Sequence, residues 1–158
     1  ILKPERYLEK YGGRAEDYRM LTWEAVAALA KRGYEIGSHS VTHPILTTLP
    51  DEEALHEIAE SRRMIVSRLG VSARWFCYPS GDHDARIIKL VREAGYEGAC
   101  VTPPGSGVTE GPFTRRRIGV YRSDGPLRFR VKMSPAFTAA RDTAWIWNTW
   151  RNLTSFTS

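Results

Sequence analysis

Two histidines four positions apart, His39 and His43 in Gly37-Ser-His-Ser-Val-Thr-His-Pro44, are the residues of this chain best suited to carry chemistry. Neutral imidazole is the commonest metal-binding side chain near neutral pH, and two rings at this spacing converge on one divalent cation if the backbone turns after the first. Alone, the pattern is weak, because unrelated helices carry it by chance and a histidine pair is often surface decoration. The context sharpens it. Gly33-Tyr-Glu-Ile-Gly-Ser38 in front reads as a buried strand leaving a helix, and Pro44 stops regular structure immediately behind. The pair is therefore expected at the end of a strand, where α/β proteins gather their chemistry.

The elements that must position this pair are legible around it. Leu21 to Lys31 reads as a helix with Thr22 as N-cap, Glu24 in the first turn, Val26, Leu29 and Ala30 as its apolar stripe and Gly33 as its end. A strand over Tyr34 to Ser38 follows. Asp51 is expected to cap a longer helix running to about Leu69, with Leu55, Ile58, Ala59, Ile65 and Leu69 at helical period and Gly70 closing it. Ala73 to Tyr78 reads as a strand broken by Pro79-Ser-Gly81. Asp84 caps a helix whose Ile87, Ile88, Leu90, Val91 and Ala94 face inward until Gly95. A strand from Gly98 to Thr102 and a loop over Pro103 to Gly107 come next. Arg117 to Tyr121 is a further strand candidate, and the segment from Pro126 onward contains a terminal helix carrying Trp145, Trp147 and Trp150.

That alternation, with short connections, predicts an α/β fold of parallel strands joined by right-handed crossovers, in an open sheet or a β/α barrel. The units are too few for a closed eight-stranded barrel. Residues 1–125 are expected to form one domain and 126–158 a helical extension packed on it or on a partner.

Composition narrows the function classes. The chain has 158 residues, 42% of them hydrophobic, the size of one ordinary core. No apolar run is long enough for a membrane span and no leader pattern opens the sequence, so membrane association is not expected, and the compartment stays open between cytoplasm and cell envelope. Cys77 and Cys100 sit in apolar strand-like runs and read as buried reduced thiols. Basic residues number 23 against 18 acidic ones, concentrated late in Arg115, Arg116, Arg117, Arg122, Arg128, Arg130 and Lys132. This surplus reads as a solvated rim; no nucleic-acid-binding module accompanies it. His56 is expected to be exposed and His83 to decorate a helix start. Asp82 and Asp84 are not assigned as ligands, and Trp75 and Tyr96 belong in the core.

Taken together, Leu21-Thr-Trp-Glu-Ala-Val26, Gly33 to Pro44, Phe76-Cys-Tyr-Pro-Ser-Gly81 and Leu90-Val-Arg-Glu-Ala-Gly-Tyr96 resemble the polysaccharide deacetylase family, also called NodB-homology or carbohydrate esterase family 4. The similarity spans about residues 20 to 120. It implies a distorted, seven-stranded β/α barrel and hydrolytic removal of acetyl groups from N-acetylated sugars, with zinc or another divalent ion as cofactor. Carried over by position, His39 and His43 are two metal ligands. Tyr78, Pro79, Ser80 and Gly81 form a substrate-facing loop, one of whose backbone N–H groups would serve an oxyanion; the same loop reads equally as an ordinary turn. Two imidazoles plus a carboxylate leave coordination positions for water and for a substrate carbonyl.

The departures matter as much. The family's paired aspartates, which supply the catalytic base and third ligand, have no counterpart, so no catalytic residue is assigned. Cys77 stands where the family usually carries an arginine, and the last histidine is His83, so a late general acid is missing too. The expected fold is thus a partial barrel without its first β/α unit or units, completed by a missing N-terminal segment or by an oligomer, and weakly active or inactive alone. Two alternatives are a non-catalytic carbohydrate-binding or scaffolding remnant and a small-molecule amidohydrolase of the same superfamily.

Overall fold

The segment entering the site begins with helix α1, Trp23–Lys31, in a computed structural model that describes residues 20–101, 110–121 and 124–140. Thr22 caps the helix as expected, its hydroxyl accepting the Ala25 amide at 3.2 Å. At the other end Gly33 takes φ +86°, and the Tyr34 amide turns back to the Leu29 carbonyl at 3.2 Å.

The expected strand over Tyr34–Ser38 contracts to one residue. Ser38 forms an isolated parallel bridge with Phe76, donating to the Trp75 carbonyl and accepting from the Cys77 amide, both at 2.8 Å. Tyr34, whose amide is engaged by the helix end, is exposed rather than buried. Apolar patterning cannot make a strand where the ladder bonds are lacking.

Helix α2, Asp51–Leu69, buries Ala54, Ile58, Ser61 and Ile65, a single stripe at helical spacing. Gly70 ends it in the left-handed region at φ 65°. Asp51 is its first helical residue rather than its cap. The Ala54 amide bonds the Pro50 carbonyl at 2.9 Å, which starts the helix one position earlier, and the Asp51 carboxylate instead accepts from Arg86 at 2.6 Å. Arg86 also donates to the carbonyls of Thr47 and Leu49, tying the short 3₁₀ turn Leu46–Thr48 to the next helix.

Strand β1, Trp75–Cys77, leads into Tyr78 and the 3₁₀ turn Pro79–Gly81. Helix α3, Ala85–Glu93, is capped by Asp84, whose carboxylate accepts the Ile87 amide at 2.7 Å, and it buries Ile87, Leu90 and Val91. Strand β2, Gly98–Val101, pairs in parallel with β1 in the register Trp75↔Gly98, Phe76↔Ala99 and Cys77↔Cys100. Strand β3, Arg115–Arg116, pairs in parallel with β2, giving the order β1-β2-β3. This parallel sheet, with α3 connecting β1 to β2, is the expected parallel α/β arrangement. Its core joins Leu46, Ala54, Ile58, Phe76, Tyr78, Ile87, Leu90, Val91, Tyr96, Ala99 and Val101, with Phe76 packed on Tyr96 at 5.2 Å and on Tyr78 at 5.5 Å between ring centroids.

Several expectations shift in detail. Cys77 and Cys100 form no disulfide but are half-buried, because they lie side by side on paired strands whose covered face is held by Phe76, Ala99 and Val101. Trp75 is half-buried beneath Arg115, whose guanidinium stands 5.1 Å from the ring centroid. No strand forms over Arg117–Tyr121: the Gly119 carbonyl accepts from the Lys132 ammonium and the Tyr121 amide donates to Asp124, so side chains take the bonds a ladder would use.

The chain divides into two compact units, Ile1–Val101 with Thr109–Arg116, and Thr102–Val108 with Arg117–Ser158. The second contains helices α4, Pro126–Lys132, and α5, Pro135–Ala140. Within it Lys132 is buried, not part of a solvated basic rim, and pairs with Asp124 at 2.6 Å. Arg117, Arg128 and Arg130 are exposed. The loop expected over Pro103–Gly107, and Arg122, Trp145, Trp147 and Trp150, lie outside the described residues.

Gly98 carries a steric requirement. A Cβ there would fall inside the van der Waals envelopes of the Trp75 indole and the Pro112 carbonyl oxygen, the acceptor for the Ala99 amide. Gly98→Ala is therefore expected to destabilise the chain by about 1–3 kcal/mol, read as a fall of several degrees in melting temperature; an unchanged melting curve would show that the strand carries no such constraint.

Candidate functional site

His39 follows directly on Ser38, and Tyr78 follows directly on β1, so the parallel bridge between Ser38 and Phe76 puts two loops at the carboxyl ends of neighbouring segments. The structure brings the predicted histidines together. Their ring centroids lie 4.7 Å apart, edge to face with 80° between planes, His39 exposed and His43 half-buried. Two imidazoles on one tetrahedral ion with metal–nitrogen bonds of about 2.0–2.1 Å need centroids about 5 Å apart.

His39 Nδ1 stands 2.7 Å from the Cys77 carbonyl oxygen. A carbonyl only accepts, so Nδ1 carries the proton and the lone pair of the neutral ring sits on Nε2. Backbone contacts of this kind orient metal-binding imidazoles and set their tautomer.

The loop between the rings has an uncommon backbone. Ser40 and His43 take φ of 64° and 62°, left-handed values unfavourable for residues with a Cβ. The Ser40 hydroxyl accepts the His43 amide at 3.0 Å. From α2, Glu57 accepts three bonds: Oε2 takes the amides of Val41 and Thr42 at 2.8 and 2.9 Å, and Oε1 takes the Thr42 hydroxyl at 2.7 Å. Beneath the loop a buried polar chain anchors Ser38. Its hydroxyl donates to Ser61 at 2.6 Å, and Ser61 and the Tyr96 hydroxyl both donate to the Ile58 carbonyl, at 2.8 and 3.0 Å. Nothing in the sequence singled out Glu57 or Ser61; each is one polar residue among several on an ordinary amphipathic helix, and only the fold reveals its partner.

The second predicted segment divides into structural and accessible parts. Tyr78 is fully buried and donates its hydroxyl to the Phe113 carbonyl at 3.0 Å, so its side chain belongs to the core rather than to a substrate-facing surface. Pro79 is buried as well. Ser80 is exposed with φ 57°, so the three left-handed non-glycine residues among those described all lie in these two loops. The loop amides can be accounted for one by one. Tyr78 N–H bonds the Cys100 carbonyl at 3.2 Å, Gly81 N–H bonds the Tyr78 carbonyl at 2.9 Å, and proline has none. Among the described residues the Ser80 amide finds no acceptor.

The neighbouring acidic residues are engaged elsewhere: Asp82 accepts from Thr47 and Asp84 caps α3. His83 is more than helix decoration, since its ring stacks on Tyr78 at 4.9 Å and its Nδ1 donates to the Gly81 carbonyl at 2.8 Å. His56 is exposed as expected. Among the described residues no group of three or more histidine, cysteine, aspartate or glutamate side chains converges, so the donor set there comprises the two imidazoles.

A model of the polysaccharide deacetylase family matches residues 6–99. The chain belongs to the polysaccharide deacetylase family. YxkH of Bacillus subtilis, which carries the same family name, is 25% identical over 148 residues, covering 88% of this chain and 49% of its own length. Chitin deacetylase 1 of Cryptococcus neoformans is 36% identical over 63 residues, 40% of this chain and 13% of that one. Among solved structures, the Streptococcus pyogenes deacetylase PplD in complex with acetate aligns with a TM-score of 0.66 at 19% identity, covering 82% of this chain and 55% of that chain. A Bacillus anthracis structure of the polysaccharide deacetylase kind aligns at 0.64 and 17%, covering 82% and 46%. The fold is thus part of the NodB-like architecture, and this chain spans about half the length of YxkH and of these two structures.

The two tyrosines supporting the site link its stability to pH. Burial pushes both phenols above their ordinary value of 10.0, the hydrogen bonds of Tyr96 with Ser38 and Ser61 opposing it in part. The unfolded chain releases these protons first, so stability should be complete below about pH 10 and fall as pH rises beyond it. Tyr78→Phe and Tyr96→Phe should each flatten that fall in urea denaturation followed from about pH 8 to about pH 11; slopes identical to the native chain would refute the assignment.

Proposed function

We propose that this chain is a metal-dependent hydrolase of the polysaccharide deacetylase type, removing N-acetyl groups from a sugar polymer or a glycolipid precursor. The observation that supports this best is the edge-to-face pair His39–His43, with the His39 tautomer set by the Cys77 carbonyl, in a member of this family. His39, through Nε2, and His43 would hold the ion, and zinc is the divalent metal that suits neutral imidazole and an open coordination position. When bound, such an ion supplies a water of lowered pKa and polarises the substrate carbonyl.

The chain's own groups supply the rest of what can be derived. The Cys77 carbonyl keeps the His39 ring in register. The Ser80 N–H, in an exposed left-handed turn and without an acceptor among the described residues, is the candidate donor to the oxygen that becomes negative when the acetamide carbon turns tetrahedral. The base that accepts the water proton and the third ligand are assigned to no described residue.

A second reading draws on the two-imidazole donor set among the described residues: a carbohydrate-binding member of the family that does not hydrolyse. Zinc titration calorimetry and acetate release from chitin oligomers and poly-N-acetylglucosamine separate the two. The expected result is zinc uptake weakened at least about tenfold in both His39→Ala and His43→Ala, with weak zinc-dependent acetate release. Identical titrations for native and variant chains would remove the metal assignment, and saccharide binding without acetate release would select the second reading.

A further inference from the structure

We propose that Glu57 is the positioning residue that holds the His39–His43 loop in its ligating shape. This rests on the metal-binding reading above and adds a residue on another element to it. Three observations lead there. Its carboxylate accepts three hydrogen bonds at 2.7–2.9 Å from two successive loop residues, Val41 and Thr42, which lie between the histidines. Both oxygens are thereby engaged with the loop, so Glu57 acts through the histidines rather than as a ligand. Among the described residues no basic side chain pairs with it, so its charge is directed at the loop's N–H and O–H groups.

The loop needs such a clamp. Ser40 and His43 are both left-handed, a strained conformation for residues that carry a Cβ. A loop left to itself would relax toward extended backbone and carry the imidazoles apart. Hydrogen bonds to an ionised acceptor are shorter and stronger than neutral ones, and three of them converge where the chain reverses. The support itself is rigid, because Glu57 lies between Ala54 and Ile58 on α2, both fully buried in the core. A negative charge one layer behind a cation site also strengthens the field felt by the cation.

The test uses the full chain with zinc alone as probe, comparing native protein with Glu57→Gln and the harsher Glu57→Ala. Glutamine preserves size and helix propensity but removes the negative charge, leaving the Val41 and Thr42 amides a neutral acceptor and turning its NH2 group to the Thr42 hydroxyl. The expected result for Glu57→Gln is zinc binding weaker by about 10–100-fold, faster hydrogen exchange at the Val41 and Thr42 amides, and a melting temperature within a few degrees of native. Native-like zinc affinity in both variants, or native-like exchange at those two amides, overturns the role of Glu57 while leaving the metal reading intact. A native chain that takes up no zinc overturns both, and the native titration alone shows that failure.

Discussion

The two backbone hydrogen bonds of Ser38, one to Trp75 and one from Cys77, place His39 at the carboxyl end of one parallel segment beside the loop that leaves the next. Parallel pairing carries the chain forward on each segment in the same sense, so successive loops emerge on one edge, and side chains far apart in sequence become neighbours there. The register also brings the Cys77 carbonyl to His39 Nδ1, which a slip of one residue would replace with a group facing the opposite way. The polar chain from Ser38 through Ser61 to the Ile58 carbonyl ties this junction to the helix packed beneath it.

Among the described residues, left-handed strain outside glycine lies in the two loops where chemistry is proposed. Ser40, His43 and Ser80 hold left-handed conformations that glycine would adopt more cheaply, and each is offset by specific bonds or by burial beside it. Glu57 and the Ser40 hydroxyl brace the first loop; Pro79 and the backbone bonds of Gly81 and Asp82 brace the second. The Asp82–Thr47 bond joins the second loop to the 3₁₀ turn that follows His43, so the two loops are coupled through side chains as well as through the sheet.

What could be read from the sequence followed a local physical code. The Thr22 and Asp84 caps, the Gly70 terminus and the inward face of α3 are each decided within four or five residues, and the structure shows them as expected. The stripe of the long helix, in contrast, keeps Ile58 and Ile65 but buries Ala54 and Ser61 in place of Leu55, Ala59 and Leu69. Where a competing partner lay far along the chain, local reading failed. Asp51 looked like a cap until Arg86, 35 positions away, took its carboxylate. Tyr34–Ser38 looked like a strand although only Ser38 finds ladder partners, and Arg117–Tyr121 loses its ladder groups to Lys132 and Asp124. Tyr78 was grouped with the accessible loop until the Phe113 carbonyl claimed its hydroxyl from 35 positions on.

By itself the sequence determined the residue types able to bind a cation, the turn that follows them and the alternation of helix and strand, since these depend on side-chain chemistry and on periodicities of two and 3.6 residues. Tertiary structure alone decided that the two imidazoles face each other at 4.7 Å, which tautomer His39 adopts, which loop amide has no acceptor among the described residues and which carboxylate bonds the loop. Those are outcomes of pairing between segments 15 to 38 positions apart, and the free energy that selects among such pairings belongs to the assembled core rather than to any one stretch of chain.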